Sequence, residues 1–125
     1  MRAIGYHTTG SVDVLVDIDL PKPTPGPRDL LVEVRAISVN PVDAKIRSGN
    51  GPGGPGGDVK VLGWDAAGIV AAVGTEATRF TPGEEVYYAG SLDRAGCYAE
   101  FQVVDDRVVG RSDNRSKRGL CRAIL

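Results

Sequence analysis

The sequence predicts a mainly β protein, a barrel or sandwich with one or two short helices. Seventeen glycines and eight prolines are spread over 125 residues, and they separate short apolar runs. Some of these runs alternate apolar and polar residues, as half-buried strands do. Many short strands with Gly/Pro turns between them are typical of a barrel or sandwich and argue against a parallel βαβ sheet.

Three strands are expected in the first third of the chain. Residues 2–7 are a first apolar run, and Val14–Leu20 alternates apolar and acidic residues. Pro21–Asp29 contains four prolines, which predict a loop because proline cannot donate a hydrogen bond inside a sheet. Leu30–Val39 then predicts a longer strand.

The second half predicts four more strands. Ala66–Gly74 is small and apolar, and we expect a strand that is buried on both faces. A Pro-Gly turn precedes a strand at Glu85–Ala89, and residues 97–110 provide two further short strands. Cys97 is expected to be a small buried hydrophobe.

A short helix is predicted from Asn40 to Gly49. Asparagine is a favoured N-cap, and Pro41 suits the first helical position. Asp43 would then lie at the third position, where its charge suits the helix N-terminus, and Gly49 can end the helix in a left-handed conformation. These residues alone leave open whether the segment is only a well-capped helix or also part of an active site.

Charge and composition exclude several classes of function. Fifteen basic and sixteen acidic residues give a net charge of −1, which offers no reason to expect nucleic acid or an anionic membrane as partner. The sequence has no apolar stretch near the roughly 18 residues of a membrane span and no apolar signal core, so a cytoplasmic protein is expected. One histidine and two scattered cysteines argue against a zinc site. The glycine-rich segment Gly49–Asp58 lacks the strand, helix and Gly-Lys-Ser/Thr of a phosphate loop, so we expect a surface loop.

Two stretches resemble a known superfamily. Val61–Tyr87 fits the pattern Gly-x-(Asp/Glu)-x-x-Gly-x-x-x-x-x-Gly followed by Phe-x-x-Gly-(Asp/Glu)-x-Val, and Pro21–Gly49 is similar to the same family. The pattern resembles the N-terminal, GroES-like domain of the medium-chain dehydrogenase/reductase superfamily. The Asn-Pro-Val-Asp and Gly-Trp-Asp versions are most similar to its zinc-free quinone oxidoreductase branch, whose members are often called zinc-type alcohol dehydrogenase-like. The resemblance implies a GroES-like β-barrel for residues 1–111.

The resemblance also implies a site without the metal of the zinc-dependent relatives. Those relatives hold zinc with a cysteine at the position of Asn40 and a histidine at the position of Trp64. Tryptophan cannot ligate zinc, and asparagine is a poor ligand. We therefore expect the family fold without zinc.

Three residues, Asn40, Asp43 and Lys45, are expected to be catalytic. In the zinc-free branch the nicotinamide faces the Asn40 position, so Asn40 could donate a hydrogen bond to a substrate carbonyl, or to a cofactor ribose or amide. Lys45 stands where relatives carry His or Tyr, and it could bind the ribose or relay a proton. Hydride transfer to a quinone or enone needs orientation, a donor to the carbonyl oxygen and a proton source.

Four further residues are expected in the substrate and cofactor cleft: Tyr6, His7, Trp64 and Asp65. Two alternatives stay open. The first is that Asp65 is structural, its carboxylate bonding backbone N–H groups between buried strands. The second is that His7 is one of the exposed histidines that are common at strand ends, with no role in substrate binding.

The resemblance implies an NADPH-dependent oxidoreductase that reduces small quinones or activated carbonyl compounds, from a family whose members are often homodimers. The sequence predicts no Rossmann-type glycine turn, one that follows a strand and opens a helix, so the chain alone is expected to be inactive. The alternatives are a non-catalytic β-domain and, more remotely, a co-chaperone-like module. Residues 112–125 depart from the family pattern. Codon degeneracy permits a shifted reading frame over Lys117–Ile124 that would give the family's Ala-rich continuation, so we expect residues 112–125 to be an aberrant, frayed tail.

Overall fold

The computed structural model describes residues 1–49 and 59–112, so the predictions for Gly49–Asp58 and for the tail fall almost wholly outside the described residues. The described part contains eight strands, one α-helix and two short 3-10 turns. The strands are β1 (Arg2–Tyr6), β2 (Val16–Asp19), β3 (Asp29–Ser38), β4 (Lys60–Val61), β5 (Asp65–Val73), β6 (Glu85–Ala89), β7 (Phe101–Asp105) and β8 (Val109–Arg111). The helix α1 is Pro41–Ser48, and the 3-10 turns are Val12–Val14 and Asp106–Val108.

The strands form two antiparallel sheets, which confirms the mainly β, GroES-like prediction. One sheet has the order β7-β3-β5-β6-β8, and the other has the order β2-β1-β4. An isolated bridge between Ala3 and Ala99 connects β1 to the segment that enters β7. No helix among the described residues is long and apolar enough to cross a membrane.

Two hydrophobic clusters stabilise this arrangement. The larger one lies on the five-stranded sheet and is built on fully buried side chains such as Leu30, Val32 and Val70. The smaller one lies beneath α1 and contains Tyr6, Ile46, Leu62 and Trp64. Burial of each large apolar side chain contributes about 1.5–3 kcal/mol, so α1 is held mainly through Ile46 and this second cluster.

Most predicted strands are confirmed within a residue or two, but two expectations need correction. The run Val14–Leu20 begins with the 3-10 turn Val12–Val14, and its strand starts only at Val16. Strand β5 was expected to be buried on both faces, yet only every second residue from Ala66 to Val70 is fully buried. The residues on the second face of β5, from Asp65 to Ile69, are only partly buried. The two-residue strand β4 was not predicted.

Helix α1 begins and ends where the sequence predicted. Asn40 is the extended N-cap, and Gly49 ends the helix with φ of 93°. Asn40 and Asp43 form a capping box in which the Asp43 carboxylate accepts a hydrogen bond from the Asn40 backbone N–H at 3.2 Å. The Asn40 carboxamide oxygen is turned toward the Asp43 N–H without closing a full hydrogen bond, since that N–H donates to the Asn40 carbonyl at 3.0 Å.

Candidate functional site

The candidate site begins where Asn40 meets Asp65. Asn40 follows the end of β3, and Asp65 is the first residue of β5, so the antiparallel pairing of Ser38 with Asp65 brings the two side chains to one end of the sheet. The Asn40 amide Nδ2 donates a hydrogen bond to Asp65 Oδ2 at 2.7 Å. An ionised carboxylate can only accept, so it is the amide nitrogen of Asn40 that must face Asp65.

Asp43, in the first turn of α1, is buried and held by two hydrogen bonds. Its side chain is 2% exposed, and Oδ2 accepts hydrogen bonds from the Asn40 backbone N–H at 3.2 Å and from the Tyr98 hydroxyl at 2.7 Å. Its other oxygen, Oδ1, has no hydrogen-bond partner among the described residues. The Asp43 carboxylate therefore ties the N-cap of α1 to the segment that precedes β7.

Cys97 and Tyr98 complete the polar group around Asp43 and Asp65. The Cys97 thiol donates a long hydrogen bond to the Asp65 backbone carbonyl at 3.6 Å. Burial raises the pKa of Cys97 to about 12, and the negative charges of Asp43 and Asp65 add to the effect. Burial also raises the pKa of Tyr98, and the hydrogen bond to Asp43 acts in the same direction. Both groups are therefore protonated at neutral pH.

Lys45 and His7 are both exposed at the protein surface. Lys45 is exposed on α1, and its ammonium group makes no ion pair with any residue of 1–49 or 59–112. His7 is exposed just beyond the end of β1. The exposed Lys45 ammonium group, in the last turn of α1, is accessible to an anionic or hydroxyl-bearing ligand.

Tyr6 and Trp64 lie on the opposite, buried side of α1. Their side chains are 2% and 6% exposed, and both line a cavity of 240 Å³. The Tyr6 hydroxyl donates to the Ile46 carbonyl at 3.4 Å, and Trp64 Nε1 donates to the Arg94 carbonyl at 3.4 Å. These bonds satisfy the polar atoms of both rings, so the two residues offer a ligand mainly apolar surface.

The donor set of this site does not fit zinc. Among the residues described by the structure, no three His, Cys, Asp or Glu side chains come close enough to hold a metal ion. The Trp64 indole is only a donor, and the Asn40 amide and the Asp65 carboxylate are hydrogen-bonded to each other.

From the sequence we expected Asn40, Asp43 and Asp65 in one cleft. The sequence did not predict that Tyr98 joins them, nor that the Cys97 thiol bonds the Asp65 carbonyl. Tyr98 is 55 residues from Asp43, and no local pattern connects the two. The one signal in the sequence was Gly63 in the Gly-Trp-Asp motif. A glycine beside a buried strand often marks a close approach of another group, and here the approaching group is Tyr98.

Comparison with known proteins identifies the family of this domain. The description of the matching family is "Alcohol dehydrogenase GroES-like domain", and the match covers residues 26–113. A zinc-type alcohol dehydrogenase-like protein of Staphylococcus aureus is 46% identical over 91 residues. Human quinone oxidoreductase is 34% identical over 116 residues. These matches cover 73% and 87% of this chain but only 26% and 32% of the two relatives, so the chain spans about a quarter to a third of their length.

The chain is also similar, in sequence and in fold, to part of two proteins of solved structure. A Rhizobium etli protein, provisionally named a zinc-dependent alcohol dehydrogenase, is 53% identical with a TM-score of 0.84, over 91% of this chain and 33% of that protein. Escherichia coli quinone oxidoreductase, crystallised in complex with NADPH, is 30% identical with a TM-score of 0.83, over 92% of this chain and 34% of that protein.

Proposed function

The chain belongs to the alcohol dehydrogenase GroES-like domain family of the medium-chain dehydrogenase/reductase superfamily, and from that premise we propose that it is the substrate-side domain of an NADPH-dependent oxidoreductase. The substrate class is small quinones or activated carbonyl compounds. NADPH, when bound, supplies the hydride. The part played by this chain is to orient the substrate carbonyl, to stabilise its developing negative charge and to exclude water. By the same reasoning we propose a cytoplasmic location and no nucleic-acid partner.

The hydrogen bond between Asn40 and Asp65 is the observation that supports this proposal most strongly. It uses one proton of Asn40 Nδ2 and fixes the plane of the amide, and the capping box turns the carboxamide oxygen toward the helix. The second Nδ2 proton has no acceptor among the described residues. A fixed N–H donor of this kind can bond a carbonyl oxygen as charge develops on it, without any rearrangement of the site.

Lys45, one turn along α1, is proposed to bind the cofactor. Its exposed ammonium group suits a ribose hydroxyl or a phosphate oxygen. Asp43 is proposed to act indirectly, by fixing the backbone of Asn40. Trp64 and Tyr6 are proposed as part of the apolar lining of the 240 Å³ cavity on the buried side of α1, and His7 as a residue at the edge of the cleft.

We propose that the reaction at this site proceeds without zinc. The names of two relatives mention zinc, but this chain has Asn40, Trp64 and Asp65 at the positions in question, and their donor atoms are hydrogen-bonded within the protein. The electrophile is therefore the Asn40 amide. Because the sequence predicts no glycine-rich turn between a strand and a following helix, as a Rossmann domain requires, we also propose that the chain has no turnover by itself.

A chimera tests the proposal. Residues 1–112 replace the corresponding segment of the Rhizobium etli relative, and NADPH oxidation is measured with 1,4-benzoquinone after exhaustive dialysis against a chelator. We expect activity to survive the chelator. We expect Lys45→Ala to raise KM for NADPH about tenfold, because a loss of about 1.4 kcal/mol of binding is tenfold in affinity. Lys22→Ala is the control at another exposed lysine, whose ammonium group lies 4.1 Å from the centroid of the Phe101 ring, and it is expected to leave KM unchanged. Activity that disappears with the metal, or equal effects of the two lysine variants, would contradict the proposal.

A further inference from the structure

Tyr98 is a residue that the proposed function does not use, yet it touches the site through Asp43. Its hydroxyl donates to Asp43 Oδ2 at 2.7 Å, the shortest hydrogen bond made to this carboxylate. The same oxygen accepts from the Asn40 backbone N–H at 3.2 Å. One carboxylate oxygen thus connects the Tyr98 hydroxyl to the main chain of the proposed catalytic residue.

Tyr98 is itself held in place from several sides. Its backbone N–H donates to the Leu62 carbonyl at 3.0 Å, and its carbonyl accepts from Ile4 at 2.8 Å. Its ring lies so close to Gly63 that a Cβ atom there would be 2.5 Å from ring carbon Cδ1. The Tyr98 hydroxyl is therefore held in one position beside Asp43.

Asn40 is fixed at two points by two acids. Asp43 holds its backbone N–H, while Asp65 holds its carboxamide at 2.7 Å. A shift of Asp43 would move the N-cap of α1 relative to β5, because Asp65 belongs to the sheet and Asp43 to the helix. The direction of the second Asn40 amide proton depends on both contacts.

We propose that Tyr98 is a positioning residue of this site, whose hydroxyl holds the Asp43 carboxylate and so fixes the direction of the Asn40 amide. This inference rests on the proposed function, in which that amide is the donor to the substrate carbonyl. Tyr98 itself does not touch the substrate. It acts through Asp43 on the geometry of Asn40.

The test is made on the 125-residue chain with Tyr98→Phe, by measuring hydrogen exchange and the ¹⁵N–¹H signals of the Asn40 side-chain amide. Tyr88→Phe is the matched control. It also removes a tyrosine hydroxyl, one that donates to Gln102 Oε1 at 2.8 Å and not to Asp43. We expect Tyr98→Phe to speed exchange of the Asn40 Nδ2 protons at least about tenfold beyond the change in core backbone amides, since hydrogen bonds to charged groups are the stronger ones. Tyr88→Phe should change the Asn40 amide no more than it changes the core.

If both variants change the Asn40 amide only in proportion to core amides, Tyr98 is merely structural and the proposal is wrong. Should Tyr98→Phe not fold, as judged by Trp64 fluorescence, Asp43→Asn takes its place. That variant keeps an acceptor for the Asn40 N–H but replaces the charge-assisted bond with Tyr98 by a neutral one, and it should speed the same exchange. Unchanged exchange there also overturns the proposal. The measurement uses no cofactor, so its failure leaves the proposed reaction standing, and failure of the turnover assay leaves the positioning result standing.

Discussion

Tyr98 packs directly on Gly63, and the contact leaves no room for any other residue at that position. Gly63 has φ of 96°, and a Cβ atom there would lie 2.5 Å from Tyr98 Cδ1 and 2.7 Å from Cys97 Sγ. The glycine that precedes Trp64 thus allows the segment 97–98 to reach the polar group around Asp43. Both the left-handed backbone at position 63 and the close packing around it therefore require glycine.

Gly63→Ala is therefore expected to be strongly destabilising. The left-handed backbone costs about 1–2 kcal/mol for alanine, and overpacking against the ring adds about 1–3 kcal/mol. We expect the free energy of unfolding, measured with urea and Trp64 fluorescence, to fall by about 2–5 kcal/mol. Gly83→Ala is the control, because Gly83 has φ of 97° but a Cβ atom there would meet no other atom within 4 Å. It should lose only about 1–2 kcal/mol. Equal losses would show that Tyr98 does not press on Gly63.

Alkaline pH should destabilise the fold through groups whose pKa is raised by burial. Burial raises the pKa of Cys97 from its ordinary value of 9.0 to about 12, and it also raises the pKa values of Tyr6, Tyr88 and Tyr98. The unfolded chain then loses protons at lower pH than the folded chain does. The stability contributed by Cys97 is fully present below about pH 9 and is lost as the pH rises toward 12.

The measurement is urea unfolding at pH 7.5 and pH 10 under reducing conditions. Cys97 alone should lower the free energy of unfolding by about 1.4 kcal/mol for each pH unit above its ordinary pKa. Cys97→Ala removes that share, so the variant should lose less stability than the wild type between the two pH values. A wild type and a variant with the same pH dependence would contradict the prediction.

Acid pH should destabilise the fold by weakening the ion pair between Asp29 and Arg94. Arg94 Nη1 and Nη2 donate to the two Asp29 oxygens at 3.0 and 2.9 Å, and these hydrogen bonds lower the pKa of Asp29 below its ordinary 3.8. The contribution of a group with a lowered pKa is present above its unfolded value and is lost as the pH falls through its folded value. The window therefore lies below about pH 4.

We expect Arg94→Ala to cost about 1 kcal/mol at pH 7, since the pair is bidentate but the Arg94 side chain is 37% exposed. The difference from the wild type should shrink as the pH falls below 4. Arg35→Ala is the control, because its partner Glu33 and its own side chain are both largely exposed. It should change the urea midpoint little at either pH. A loss at pH 7 that persists undiminished at pH 2.5 would show that the ion pair is not its source.

Local signals predicted much of this fold but not the way its parts meet. The helix from Pro41 to Ser48 follows from capping chemistry, and β6 follows from a turn and an apolar run, because both patterns act within a few residues. The two-residue β4 has no such signal, since it exists only by pairing with β1. The half-open face of β5 was also unpredictable, because burial of a strand depends on what covers the sheet.

The candidate site, like the fold, was predicted only in part. Asn40 and Asp65 were expected near each other from the family resemblance, and the structure joins them with a hydrogen bond. The Tyr98 hydroxyl bond to Asp43 links segments 55 residues apart, so only the folded chain reveals it.

The proposed reaction depends most on Asn40 as the donor to the substrate carbonyl. The direct measurement is kcat/KM for 1,4-benzoquinone in the NADPH-dependent chimera, with Asn40→Ala and Asn40→Asp. Losing one preorganised donor should lower kcat/KM about 10²- to 10³-fold, mostly in kcat, and Asn40→Asp should be at least as impaired because a carboxylate cannot donate and would lie beside Asp65. Values within about threefold of the parent chimera for both variants, with NADPH binding unchanged, would contradict this role of Asn40.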